Sequence, residues 1–159
     1  MAVTDAGPQR PIFIIGCERS GTTLLRAMLN EHPRLAIPPE AQPFSRIGRI
    51  LLPWELVWNR DQAAQVMDEF FSQPKMPRWE LSRAAVWQEL GDAADVRFAD
   101  LIRAVYRAYA KQHGKVRWGD KTPGYAEQLH RLGDLELGRR ARPRGVPSSA
   151  TSSVSTCVV

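Results

Sequence analysis

The sequence predicts an α/β fold: a parallel sheet with flanking helices in three layers, incomplete at its C-terminus. Three observations point there. An apolar, β-branched run, residues 11–15, ends at Gly16 and is followed by a helix start rich in hydroxyls. The same order of strand, turn and helix start returns around Gly119. Between the two, residues 43–113 carry apolar side chains at helical spacing. Strands that alternate with helices in this way form right-handed crossovers, and their loops gather at the carboxyl ends of the strands.

Each element follows from local chemistry. Residues 1–10 are polar and read as a disordered lead-in. The run Pro-Ile-Phe-Ile-Ile suits a buried parallel strand. Residues 22–31 read as a helix with Leu24, Leu25, Met28 and Leu29 on one face, stopped by His32-Pro33. Residues 35–37 read as a second strand. Pro38-Pro39 breaks it and leaves Glu40 and Gln42 on a loop at its carboxyl end. Asp61 is placed to cap a helix over 62–72, with Val66, Met67, Phe70 and Phe71 as its stripe. A helix over 79–90 presents Leu81, Ala84, Ala85 and Trp87. A third, over 97–112, presents Phe98, Leu101, Ile102, Val105, Tyr106 and Tyr109, and Gly114 falls at its C′ position. These stripes, with Trp54, Trp58, Trp79 and Trp87, read as packing surfaces rather than a cofactor box. Residues 115–118 read as a further short strand. Gly119-Asp-Lys-Thr-Pro123 then reads as a loop into a helix over 124–133, capped by Thr122.

The chain has 159 residues, a size for one domain, and its net charge is +5. Residues 138–145 hold four arginines and no acid, so the rest of the chain stands near +1. No basic stripe interleaved with aromatics is present, which argues against a nucleic-acid partner. Cys17 and Cys157 form neither a disulfide framework nor a metal-type spacing. The expectation is a reducing, cytoplasmic setting without a metal. No run is long enough to span a membrane, and residues 12–15 are too short for a secretory signal. After Leu135 the periodicity stops. Residues 136–147 are rich in Arg, Gly and Pro, and 148–156 are nearly all Ser and Thr. Such a segment buries too little to offset its ordering entropy. The domain is therefore expected over 11–135, with 136–159 a non-native or disordered tail in place of the next strand.

The chemistry concentrates in residues 16–23. Gly16, Gly21 and Thr23 fit the phosphate-loop pattern G-x-x-x-x-G-K-S/T, but Thr22 stands where that pattern has lysine. The fold expectation is therefore P-loop-like rather than a true triphosphate loop. Helix N-terminal N–H groups and the helix dipole favour an anion there. Ser20, Thr22 and Thr23 add hydroxyls, and Arg19 adds a guanidinium suited to phosphate or sulfate oxygens. Each charge-assisted bond of that kind contributes roughly 1.5–3 kcal/mol. No apolar strand ending in aspartate is evident, since Asp120 follows Lys-Val-Arg-Trp-Gly. A magnesium-dependent triphosphatase needs such a carboxylate.

Three ordered motifs carry a resemblance: residues 11–25 with Arg-Ser-Gly-Thr-Thr, then His-Pro-Arg-Leu-Ala-Ile-Pro-Pro-Glu, then Trp-Gly-Asp-Lys-Thr-Pro. Over 11–135 the chain resembles the sulfotransferases that use 3′-phosphoadenosine 5′-phosphosulfate (PAPS). The likeness is greatest to the bacterial branch with R-S-G-T-T and W-G-D/E-K-T-P. The resemblance implies that Arg19, Ser20, Gly21, Thr22 and Thr23 bind the 5′-phosphosulfate, with Arg19 beside the sulfuryl group. It implies that Glu40 is the base for the acceptor proton and that Lys121 is a second cation at the transferring group. It implies PAPS as co-substrate and a small-molecule, carbohydrate or peptide acceptor. His32, His113 and His130 match no catalytic histidine of the family, and Cys17 reads as a small packing residue.

The chain departs from the family after Leu135. The second cofactor motif, an arginine and a serine for the 3′-phosphate, has no counterpart from Glu136 onward. A frameshift or truncated reading frame is one expectation for this tail, with weak or absent donor binding as its consequence. Two rivals stand beside the sulfotransferase reading: a small-molecule kinase with a divergent loop, and a non-catalytic remnant.

Overall fold

The structure, a computed structural model, describes residues 11–17, 19–41, 57–123 and 156–158. In chain order, β1 (Ile12–Ile15) leads through the glycine loop into α1 (Thr22–Asn30), which returns to β2 (Leu35–Ala36). Then come β3 (Val57–Asn59), α2 (Arg60–Phe71), a 3-10 turn (Met76–Trp79) and α3 (Arg83–Leu90). They are followed by β4 (Asp95–Arg97), α4 (Phe98–Gln112), β5 (Arg117–Lys121) and β6 (Thr156–Val158). The main sheet is parallel, in the order β2-β5-β1-β6. Its side chains alternate between two cores, as the pleat requires. Phe13 and Ile15 face a large cluster with Trp118 and the helical middle of the chain. Ile14 faces a smaller one with Leu35 and Ile37, covered by Leu25 and Leu29 of α1. The sheet thus lies between helices, as its sequence leads one to expect.

The helices are closed by ordinary capping chemistry. The cap of α2 is Asn59, not Asp61: its side chain accepts from Gln62 N at 2.9 Å, and Gln62 Oε1 accepts from Asn59 N at 3.1 Å. This reciprocal pair satisfies two otherwise orphan donors. The predicted helix over 79–90 is two pieces, the 3-10 turn and α3, because Ser82 caps a new start by accepting from Ala85 N. Val86 is its buried residue, while Ala84 is exposed. The helix α4 ends as predicted, with Gly114 left-handed at φ 65°. The N–H groups of Gly114 and Lys115 reach back to Lys111 O and Ala110 O. Phe98, Leu101, Ile102, Val105, Tyr106 and Tyr109 are all buried.

Five expectations need correction. The stripe of α1 splits: Leu25 and Leu29 pack, but Leu24 and Met28 are 67% and 65% exposed. The middle of the chain is not wholly helical, since β3 and β4 form an antiparallel pair with Trp58 opposite Val96. Three residues were too short a pattern to separate from helix. Trp-Gly-Asp-Lys is strand rather than loop. Gly119 lies opposite Ile12, and a Cβ there would stand 2.6 Å from Ile12 O, so only glycine lets the strands approach. Asp120 therefore does sit on a buried strand beside β1. The expected absence of a strand after Leu135 also fails at one point: β6 pairs in register with β1, Phe13 opposite Thr156 and Ile15 opposite Val158. Thr-Cys-Val is a β-prone run, and β1 offers it an open edge. The lead-in 1–10, Gln42, Trp54, the helix over 124–133, His130 and the arginine run lie outside the described residues.

Candidate functional site

The glycine loop connects β1 to α1. Gly21 is its last residue, left-handed at φ 83°, and no side chain caps the helix it opens. The first-turn N–H groups of α1 thus keep their donor capacity for an anion. Arg19 is also left-handed, at φ 64°, a conformation sparse outside glycine and frequent at ligand loops. The hydroxyl of Ser20 donates to Cys17 O at 2.7 Å, closing the turn on itself rather than facing outward. Cys17 is exposed, so it is not the packing residue expected. Thr22 is buried and Thr23 exposed. Arg19, Gly21, Thr22 and Thr23, with Leu24 and Ala27, line an open depression of about 570 Å³.

Glu40 reaches the loop from the far side of β5. Its own segment is tied down at three points. Asn30 Oδ1 accepts from Ile37 N at 2.9 Å, Arg26 donates to Ile37 O at 2.9 Å, and the indole N–H of Trp79 donates to Pro39 O at 2.7 Å. Pro38-Pro39 turns the chain between these anchors and delivers Glu40 to the carboxyl end of the sheet. There Glu40 Oε2 accepts from Lys121 Nζ at 2.6 Å, across 81 residues of sequence. The Lys121 side chain is 6% exposed. A buried ammonium is tolerated only when paired, and Glu40 is that partner. Thr23 Oγ1 lies 3.4 Å from the same ammonium. Lys121 is thus buried and paired, and it links Glu40 to Thr23 of the glycine loop. Arg19 takes no part in these described contacts and stands exposed at the rim of the depression.

A second lysine, Lys75, was not legible as a site residue. Its ammonium lies 3.6 Å from Glu40 Oε1. A single lysine in a polar turn carries no motif, and only the fold brings it to residue 40. Asp120, next to Lys121, points to the opposite face and accepts from Thr122 Oγ1 at 3.2 Å. His32 accepts from Arg34 N at 3.1 Å and His113 packs on Tyr109, both away from this cluster. Trp58 and Trp79 are core residues and Trp87 packs against the same core. Among the described residues, no helix is long and apolar enough to cross a membrane.

Residues 11–135 match the sulfotransferase family. The chain belongs to the sulfotransferase family. A stretch of 61 residues is also 46% identical to protein-tyrosine sulfotransferase A of Caenorhabditis elegans. That stretch is 36% of this chain and 16% of the relative's length. No solved structure matches. The sulfotransferase match begins at β1 and runs past β5, so it takes in Arg19, Thr23, Glu40 and Lys121 together.

Proposed function

We propose that this chain carries the donor loop and the base of a sulfotransferase that moves a sulfuryl group from PAPS to an acceptor hydroxyl or amine. The observation that supports this reading best is the meeting of Glu40 and Lys121 beside Thr23. The reaction needs a base on the acceptor and positive charge on the leaving oxygen. In this reading Glu40 takes the acceptor proton, and the acceptor oxygen forms the new bond to sulfur. The bond from sulfur to the bridging oxygen breaks, and its electron pair stays on the 5′-phosphate of the leaving 3′-phosphoadenosine 5′-phosphate. Lys121, Arg19 and the N–H groups at the start of α1 take up that charge. The name of the matched relative makes a tyrosine hydroxyl in a peptide the first acceptor to try. The proposed compartment is the cytoplasm.

The test is transfer of labelled sulfuryl from PAPS to a tyrosine peptide, compared with Glu40→Gln. The variant should lose about 10²–10⁴ in kcat, the worth of a positioned base, and keep its affinity for 3′-phosphoadenosine 5′-phosphate. Full turnover in the variant would remove Glu40 as the base. A phosphoryl-transfer reading draws on one observation, the buried Asp120 beside β1. Calorimetric titration with Mg-ATP and with 3′-phosphoadenosine 5′-phosphate separates the two, because each reading expects heat from its own ligand alone.

A further inference from the structure

Glu40 is held from two sides, and the two cations differ in kind. Lys121 approaches Oε2 from within the sheet at 2.6 Å, and Lys75 approaches Oε1 from the solvent side at 3.6 Å. The Lys75 side chain is 45% exposed, against 6% for Lys121. Lys121 also lies within 3.4 Å of Thr23 on the anion loop, so an arriving phosphosulfate competes with Glu40 for the same ammonium. Lys75 has no such second claim among the contacts described. It precedes the 3-10 turn whose Met76 and Trp79 are 3% and 1% exposed, and Trp79 bonds Pro39, the residue before Glu40. The turn that carries Lys75 and the loop that carries Glu40 are therefore one hydrogen-bonded unit.

We propose that Lys75 is a positioning residue for Glu40, holding its carboxylate ionised and in place from the solvent side when Lys121 turns to the donor. The proposal rests on Glu40 being the base of the reaction, but its test does not depend on turnover. Lys75 touches no reacting atom and acts through Glu40.

The experiment follows the side-chain carboxyl carbon of Glu40 by NMR across acid pH, in the full chain labelled at glutamate. Glu40→Gln assigns the signal by removing it. In Lys75→Met the midpoint should rise by roughly 0.2–0.7 pH unit, the size expected for losing a half-exposed opposite charge. Lys75→Arg should restore it. Lys75→Gln, which keeps a polar side chain, should behave like Lys75→Met, and thermal melts of all three should match the parent. An unchanged midpoint in both neutral variants overturns the proposal, and so does an equal shift in Lys75→Arg. Turnover of Glu40→Gln at the parent rate would instead sink the base assignment, with the midpoint still reporting whether Lys75 holds the carboxylate.

Discussion

At the scale of single residues, the decisive fact is that a lysine with almost no exposure meets a glutamate at 2.6 Å. Removing it uncouples the glycine loop from Glu40. Lys121→Met should lower kcat by about 10²–10³, the usual loss when one preorganised charge is taken from a transition state. Single-turnover sulfuryl transfer is the measurement. A second prediction concerns Tyr109, which packs against Trp79. Burial holds its phenol above the ordinary value, while Arg26 pulls it down and Glu80 pushes it up. A folded-state value above the unfolded one favours the native state below the unfolded pKa, and the benefit disappears as pH rises through the folded value. Stability should therefore fall above about pH 10, and Tyr109→Phe should flatten that fall in melts recorded from pH 8 to 11. Residue type, spacing and family likeness single out Arg19 and Glu40 as candidates; the fold brings Glu40 to Lys121 and leaves Arg19 exposed at the rim. Lys75 was not legible, because nothing local distinguishes it from any solvated lysine.

At the scale of elements, the longest pattern was read best, and those of three residues were not read at all. α4 has ten buried side chains, enough to declare its period. The β3–β4 pair has three residues in each strand, and Val-Trp-Asn looks equally like the start of the helix that follows it. The strand β5 was misread for a chemical reason: Gly and Asp are depleted in strands, yet here glycine answers the closeness of Ile12 and the aspartate is buried at the strand's end. Gly119→Ala should cost about 1–3 kcal/mol by overpacking, because the contact is with backbone and cannot be relieved by a rotamer change. Urea unfolding should show a lower midpoint with an unchanged slope. A parent-like midpoint would mean that β1 and β5 move apart without penalty.

For the whole molecule, the sheet places β1 between β5 and β6, so the glycine loop leaves from an interior strand rather than an edge. Flanking strands on both sides hold the loop's origin, and crevices at the carboxyl ends of such sheets are where ligands collect. β6 was the least legible part, since a serine- and threonine-rich segment gives no periodicity to announce it. Its contribution is measurable. Deleting residues 156–159 should speed amide exchange at those β1 N–H groups that face β6, and not at those that face β5, and lower the melting temperature. Unchanged exchange there would mean that the pairing adds nothing to the sheet.

The crowding at Gly119 reaches beyond stability. A parallel strand displaced by one residue turns each side chain to the other face. Moved one way or the other against β1, β5 would bring Trp118 or Asp120 opposite Ile12 O, where any Cβ collides. The slip that brings Trp118 there would also put Asp120 in the place of Lys121 beside Glu40, setting one carboxylate against another, and the opposite slip would put Thr122 there. Gly119 therefore acts as an alignment key: it admits the register in which Lys121 reaches Glu40 and Thr23.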